Sequence, residues 1–479
     1  MVAYRGGAAV YRVRVYTPGT IVLSYKEEWQ MKFKFFIKKC VSLMLLLAIL
    51  ANFDLPYIAN AETNVTDGSE QEEVYDYLKN YFSDLLETIK SDSEKDYTSE
   101  DFSSVKGYIV AKQMVNKRQV YKKLLGGIEK VRLNEVVLED TSLTGDIMEA
   151  MVYVKYSFAY PEETEECSVG TLYRVKLLKA ENGYCVSDLD CDDIETRMAK
   201  QAILGNSDLR NEVKSDSNLM NTHNLSNTDS ELDYFVADAY FAKAEQNTES
   251  LLYDDISYAE TDDNEISPQS TNVSYNQKKA RNWGYKLGDN KQNYIFRRAS
   301  LDCTNFASQC VWAGYGGADG YTIPSDPSVN NATCVALKKR VASDFRMTSS
   351  WYGRNYDSTL GDPPTNFCSV VNFCNYVSSN TGNGPKATVY NNGKVYSELS
   401  VNMKAGDVLQ FYDYDTGTWF HSVVVVTETD YSASDYKKVR VAQHESDYNN
   451  RNLSELITYF GGASCKMRLL RFKSTTFSE

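Results

Sequence analysis

Twice along this chain, helical patterns come first and strand-like patterns follow, which leaves few fold classes open. Near the N-terminus, residues 71–90 place their apolar side chains on one helical stripe, and a shorter helical pattern covers 117–125. Alternating runs rich in β-branched residues come next, at 131–138, 147–159, 168–178 and 182–188. Helices followed by an antiparallel meander predict a small α+β domain over about residues 70–200.

The C-terminal part of the chain repeats this order. Helical patterns begin at Asn276 and Cys303, and a third covers 367–379. Residues 321–366 carry several Pro, Asp and Asn residues, a composition typical of an irregular excursion along a substrate cleft. Strand-like runs then occupy 387–390, 407–412, 420–428, 437–444 and 465–473. These patterns predict a second α+β domain over about residues 272–473.

Residues 201–270 lie between the two domains and differ from both in composition. They contain 15 Asp and Glu residues against 3 Lys and Arg residues, with no sustained apolar period. This predicts a flexible acidic linker. The apolar run at 234–241 is an exception, and it predicts a short helix that docks on a neighbouring domain.

The pattern in residues 1–61 is typical of an export signal. From Met31 the chain passes through closely spaced lysines into the apolar run 41–50, and a small-x-small cleavage site follows at 59–61. We therefore expect Met31 to be the true start and the mature protein to be secreted or associated with the cell envelope. A retained membrane anchor is the alternative, although the apolar run is short for a full span.

Charge and cysteine content limit the partners and the chemistry. The formal net charge of −14 disfavours nucleic acid as a partner. Of the 10 cysteines, one lies in the export signal, and the odd number that remains leaves at least one free thiol.

One of these cysteines lies where a nucleophile is expected. Residues 302–309 read Asp-Cys-Thr-Asn-Phe-Ala-Ser-Gln, and Asp302 is a good N-cap for a helix that starts there. Cys303 then falls in the first turn, where unpaired backbone N–H groups and the helix dipole favour a thiolate. This position predicts a nucleophile if a base lies nearby. A buried structural cysteine is the alternative.

Two histidines could complete such a site. His421 starts one predicted strand and His444 ends the next, and these two positions lie side by side in an antiparallel hairpin. We therefore predict that His421 is the base for Cys303 and that His444 orients its ring. Glu445 and Asp447 are alternatives for the orienting role. The spacing of these residues matches no recognised zinc site, and we expect neither a metal nor a cofactor.

Together these segments resemble the putative amidase domain family of exported bacterial proteins, over about residues 272–473. The most specific part of the resemblance is the Asp-Cys-Thr-Asn-Phe-x-Ser-Gln core. Further similarity lies at 275–280, 293–294, 406–410, 421–425 and the late His444. More distantly, the segment is similar to the NlpC-type and CHAP cell-wall hydrolases, which implies a papain-like fold.

The resemblance also implies roles for single residues. Cys303 matches the nucleophile, His421 the general base and His444 the orienting residue. Tyr294 matches the upstream tyrosine that assists the oxyanion, with the backbone N–H of Cys303 as the other donor. Glu445 departs from the family pattern, in which a small polar residue often follows the late histidine.

The function expected from these observations is hydrolysis of an amide bond by a secreted bacterial thiol enzyme. The substrate implied by the resemblance is a peptide bond in cell-wall peptidoglycan, cleaved through an acyl-enzyme on Cys303. A transamidase that uses the same site is one alternative. A non-catalytic extracellular binding module is the other.

Overall fold

A computed structural model describes residues 68–161, 165–180, 183–191, 193–205, 229–250, 272–300, 302–414 and 416–477. The export-signal pattern lies outside the described residues. Residues Ser69–Glu479 form one compact unit. Across the described ranges, no helix is both long enough and apolar enough to cross a membrane.

The first half of this unit confirms the predicted order of helices and meander. Helix α1 buries its apolar stripe under the sheet, and β1 to β4 pair in sequence with antiparallel neighbours. The elements are α1 (Gly68–Glu87), α2 (Val105–Leu125), β1 (Glu129–Thr144), β2 (Ile147–Ala159), β3 (Cys167–Ala180), β4 (Gly183–Cys191) and α3 (Ile194–Gly205).

The predicted linker contains a longer helix than expected. Helix α4 (Asp229–Ser250) includes the apolar run at 234–241 and packs on α2 and α3 through Val236 and Ala237. A flexible linker is therefore the wrong description for this part of 201–270. The docking contact foreseen at 234–241 is confirmed, because the apolar side chains there would otherwise face water.

The second half follows the predicted α+β order, with additions. Residues 321–366 are not wholly irregular, since they contain the helix Ala332–Ala342 (α7). This helix begins where the Asn331 side chain accepts hydrogen bonds from two backbone N–H groups. The elements are α5 (Gln277–Leu287), α6 (Cys303–Gly314), α7 (Ala332–Ala342), α8 (Thr365–Cys368), α9 (Val370–Ser379), β5 (Ala387–Tyr390), β6 (Val408–Asp413), β7 (Thr418–Val425), β8 (Arg440–Gln443), β9 (Asp447–Asn452), α10 (Leu453–Tyr459) and β10 (Met467–Phe472).

One 10-stranded antiparallel sheet runs through both halves, in the order β1-β2-β3-β9-β8-β7-β6-β10-β5, with β4 paired to β3. The halves meet where β3 pairs with β9, at Val169–Tyr448 and Gly170–Asp447. The α+β class is therefore confirmed.

The two faces of the β6–β8 region bury different cores. Val408, Val424 and Ala442 pack against α5 and α6. On the opposite face, residues such as Val423 and Val441 pack against α10 and against α2 from the first half. The site described below lies where α6 begins, at the edge of this region.

Candidate active site

Helix α6 places Cys303 at its first position and is buried along its length. The side chain of Asp302 does not cap this helix, so that prediction was wrong. Its Oδ1 instead accepts hydrogen bonds from the Ala299 N–H at 2.7 Å and from Asn305 Nδ2 at 2.6 Å. Asp302 thus holds the segment that precedes α6 in place, and its side chain does not cap the first N–H groups of the helix.

His421 lies in β7 opposite Phe411 and is fully buried. Its Nε2 is 3.3 Å from Oε1 of Gln443. The Gln443 amide has a fixed orientation, because its Nε2 donates to the carbonyls of Glu445 at 3.1 Å and Ser446 at 3.2 Å. The amide oxygen therefore faces the imidazole, which requires the proton on Nε2 and leaves Nδ1 as an acceptor.

Cys303, His421 and Glu445 come together at this point. One thiol, ring-nitrogen or carboxylate atom from each lies within 4.8 Å of the others. The Nδ1 atom of His421 is buried and has no hydrogen-bond partner in the described part of the chain. It is thus the ring nitrogen available to a proton from the Cys303 thiol.

His444 does not contact His421 as predicted. Its Nδ1 pairs with Oδ2 of Asp302, and its Nε2 is 3.3 Å from the Leu287 carbonyl. Its ring also stacks on Phe306, with 3.9 Å between the ring centroids. Both ring nitrogens are therefore engaged under α5 and α6, and the predicted orienting contact with His421 is corrected.

Strand alternation explains this placement. The pairing of Val424 with Ala442 shows that side chains 422, 424 and 442 share one face of the β7–β8 pair. His444 follows β8 in a turn, and its contacts with Phe306 and Leu287 place it on the same side. His421 belongs to the other face, together with Gln443 and Glu445. The residue one place before the predicted one therefore meets the imidazole. Gln443 was missed because a neutral amide carries little functional signal in a sequence.

The alternatives Glu445 and Asp447 have different surroundings. Glu445 accepts from the Asp302 N–H at 3.0 Å and pairs with Arg197 at 3.1 Å. Burial raises the pKa of Glu445, and the charge of Arg197 opposes that rise. Asp447 is held by two hydrogen bonds from Arg298, at 2.7 and 2.8 Å.

Tyr294 adopts a left-handed backbone conformation, with φ of 56°. Its ring packs edge-on against Tyr356, with 5.1 Å between the centroids. The oxyanion role that the resemblance implies for Tyr294 stays a prediction.

Electrostatics favour a neutral resting pair. Burial, followed by the nearby Glu445, raises the pKa of the Cys303 thiol well above its usual range. Burial lowers the pKa of His421 to about 3, although the hydrogen bond that the ring donates to Gln443 works against it. Burial of the thiol thus opposes the thiolate that the helix dipole would favour at Cys303.

Cys303, His421 and Glu445 are also the side-chain types that bind zinc. The Glu445 carboxylate already accepts hydrogen bonds from Asp302 and Arg197, which compete with a metal for its oxygens.

Comparison with known proteins supports the family resemblance. Residues 274–468 match the family model described as a putative amidase domain, which indicates a hydrolase. No curated protein and no solved structure matches the chain. The more distant similarity to NlpC-type and CHAP hydrolases, and with it the papain-like fold, stays a prediction. The family to which residues 274–468 are similar is thus the putative amidase domain family.

Proposed function

We propose that this protein is a secreted thiol-dependent amide hydrolase with a papain-like site that acts on peptide bonds of bacterial cell-wall peptidoglycan. The observation that carries the proposal is the group formed by Cys303, His421 and Gln443. A thiol at the start of a buried helix lies near an imidazole whose Nδ1 is an unengaged acceptor. The other ring nitrogen is held by a fixed amide oxygen.

The proposed reaction starts from the neutral pair. Nδ1 of His421 takes the thiol proton as Sγ of Cys303 bonds to the substrate carbonyl carbon. The imidazolium then protonates the leaving amine as the carbon–nitrogen bond breaks, and a thioester remains. Water attacks this thioester while His421 takes its proton, and the returning proton restores the Cys303 thiol. The backbone N–H of Cys303 is the proposed oxyanion donor.

In this proposal Gln443 takes the orienting role that the sequence had suggested for His444. Its amide oxygen fixes the tautomer of His421 and interacts favourably with the imidazolium that forms during each transfer. Neither a metal nor a cofactor takes part.

Two features support the substrate class and the location. The export-signal pattern from Met31 supports secretion or association with the envelope. The resemblance to exported bacterial amidases and cell-wall hydrolases supports a wall peptide as substrate.

The test compares two alanine variants within α6, using purified peptidoglycan and soluble wall peptides. New amino groups are followed by mass spectrometry. Cys303→Ala should abolish cleavage, because it removes the thiol that forms the thioester. Cys310→Ala is the matched control, since Cys310 is a fully buried thiol on the same helix, and it should retain activity.

Cleavage that persists in Cys303→Ala would overturn the mechanism. Activity that is lost with a chelator and restored by zinc would replace it with metal chemistry at Cys303, His421 and Glu445.

Burial of the thiol favours a second candidate function, a non-catalytic binding module. Cys303 is only 2% exposed. Wall peptides that bind the wild-type chain and Cys303→Ala equally well, with no cleavage by either, would support this candidate. A transamidase would use the same residues, and added amines would then appear as conjugates of the acyl product.

A further inference from the structure

A cavity of about 400 Å³ lies beside the proposed catalytic group and is lined by both halves of the chain. The first half contributes Thr171 from β3 and Arg197 from α3. The second half contributes Ser300, Glu445 and Ser446. A substrate in this cavity would therefore contact residues outside the family segment as well as inside it.

Glu445 belongs both to this cavity and to the catalytic group. It lines the cavity, and one of its carboxylate oxygens lies within 4.8 Å of the Cys303 and His421 atoms. Cys303 is not among the lining residues. The Glu445 side chain thus borders the cavity and also lies next to the nearly inaccessible thiol.

Arg197 holds Glu445 in this position. One nitrogen of its guanidinium is 3.1 Å from Oε2 of Glu445, and its side chain is 32% exposed. The other cations of the cavity have stronger partners or partners elsewhere: Arg298 bonds to both oxygens of Asp447, and Lys291 pairs with Glu139. Arg197 is thus well placed to exchange its carboxylate partner.

The cavity also contains an unsatisfied polar group. Ser446 is 5% exposed, lines the cavity, and its buried Oγ has no hydrogen-bond partner among the residues that the structure describes. Buried hydroxyls are nearly always hydrogen-bonded, so a polar group that enters the cavity can provide the partner that this hydroxyl lacks. Glu445 and Ser446 also have φ values of 69° and 57°, a strained conformation for non-glycine residues.

We propose that the cavity binds a carboxylate of the substrate peptide and that Arg197 is the residue that recognises it. The substrate carboxylate replaces Glu445 on Arg197, Glu445 turns away, and the path from the cavity to Cys303 opens. The substrate class is then a peptide with a free carboxylate close to the scissile amide. This inference rests on the proposed function.

The exchange is physically reasonable because one carboxylate replaces another on the same guanidinium. Arg197 now makes a single contact, whereas a carboxylate that enters from the cavity can bind both guanidinium nitrogens.

The test uses two alkylating reagents of nearly equal size on the full chain. Iodoacetate carries a carboxylate and iodoacetamide does not. The labelling rates of Cys303 are measured by peptide mass spectrometry, and their ratio is divided by the ratio for a free thiol in solution. Taking a ratio cancels any general change in the accessibility of Cys303.

We expect the wild-type ratio to favour iodoacetate and Arg197→Gln to lower it about tenfold, as the loss of one charged hydrogen bond would do. Arg197→Lys should retain part of the preference, because the charge remains. Lys200→Gln is the matched control on the same helix, since Lys200 pairs with Asp190 and does not line the cavity. This control should keep the wild-type ratio.

Two outcomes separate the inference from the function on which it rests. If Cys303 reacts readily and Arg197→Gln leaves the ratio unchanged in a folded protein, the carboxylate site is wrong and the proposed function stands. If Cys303 reacts with neither reagent in any variant, the proposed function fails, and the inference fails with it.

Discussion

Burial sets the protonation states of Cys303 and His421 in the resting site. The pKa of the thiol is raised and that of the imidazole is lowered to about 3, so both groups are neutral near pH 7. The neutral pair avoids the cost of an ion pair away from water. Proton transfer then has to coincide with the attack on the carbonyl carbon.

This state predicts an unusual pH profile for alkylation of Cys303. Because the thiol pKa is raised, the thiolate fraction and the labelling rate should rise throughout pH 6 to 9, by roughly tenfold per pH unit. His421 should cause no inflection in this range, since its pKa is far below it. Exposed Cys185 is the reference thiol within the same chain. A plateau that begins near pH 6 would instead indicate a thiolate–imidazolium pair.

At the scale of single residues, the sequence indicated candidate side chains for the site, but it did not indicate most of their contacts. The helix pattern correctly predicted that Cys303 starts a buried helix, and His421 was correctly placed in a strand near it. The Asp302 carboxylate could not be assigned, because its choice between a cap and His444 depends on tertiary packing. Arg197 was also missed, because it comes from a distant segment without a motif.

At the scale of elements, the β7–β8 hairpin decides which side chain reaches the imidazole. Side chains alternate between faces, so Gln443, the last residue of β8, shares the face of His421. Glu445 and His444 lie in the following turn, where Glu445 approaches His421 and His444 stacks on Phe306. The same alternation was present in the sequence. The register of β7 on β8, which decides between Gln443 and His444, was not.

Two substitutions of Gln443 should therefore separate the orientation of the His421 ring from its pKa. Gln443→Ala should lower kcat by about tenfold or more with little change in KM, because the imidazole loses its orienting acceptor. Gln443→Glu should raise the pKa of His421 by adding a negative charge, which moves the acidic limb of the pH–rate profile to higher pH. The pH dependence of kcat provides the measurement.

His444→Ala is the matched variant on the opposite face of the strand. It should lower Tm, because it removes the stacking on Phe306 and the pairing with Asp302, while the folded fraction keeps its kcat. A loss of kcat at unchanged Tm would return the orienting role to His444.

The sequence patterns did not predict two elements, strand β9 and helix α10. Strand β9 reads Asp-Tyr-Asn-Asn-Arg-Asn and contains no β-branched residue. It is a strand because β3 and β8 pair with it on either side. Helix α10, by contrast, had a usable signal, since Asn452 is a good N-cap and its side chain accepts the Ser454 N–H.

Across the whole molecule, buried charges join the two halves. Arg451 is fully buried and lies 2.5 Å from Glu195 of the first half and 3.1 Å from Glu455. Lys117 of α2 lies 3.7 Å from Asp193. Although burial works in the opposite direction, the acidic neighbours raise the pKa of Lys117 and of Arg451, which keeps these two buried cations charged away from water.

The segment from residue 272 to the end should therefore not fold alone. Without the first half, Arg451 loses Glu195 and the β9 edge loses β3. One broken buried ion pair costs roughly 3–5 kcal/mol, a large part of the roughly 5–15 kcal/mol that stabilises a typical domain. Thermal unfolding followed by circular dichroism checks this, with residues 68–479 as the control. A cooperative transition in the isolated segment would contradict the prediction.

The pairing of β3 with β9 also bears on the time course of folding. Its partners, Val169 and Tyr448, are separated by most of the chain, so this contact closes one of the largest loops in the protein. Contacts of such long sequence separation form late and slow folding. Until β9 has been synthesised, the part of β3 that β4 does not cover, before Tyr173, presents an open strand edge to which another chain can add. The chain is thus most prone to aggregation before β9, a short polar strand near its end, has paired with β3.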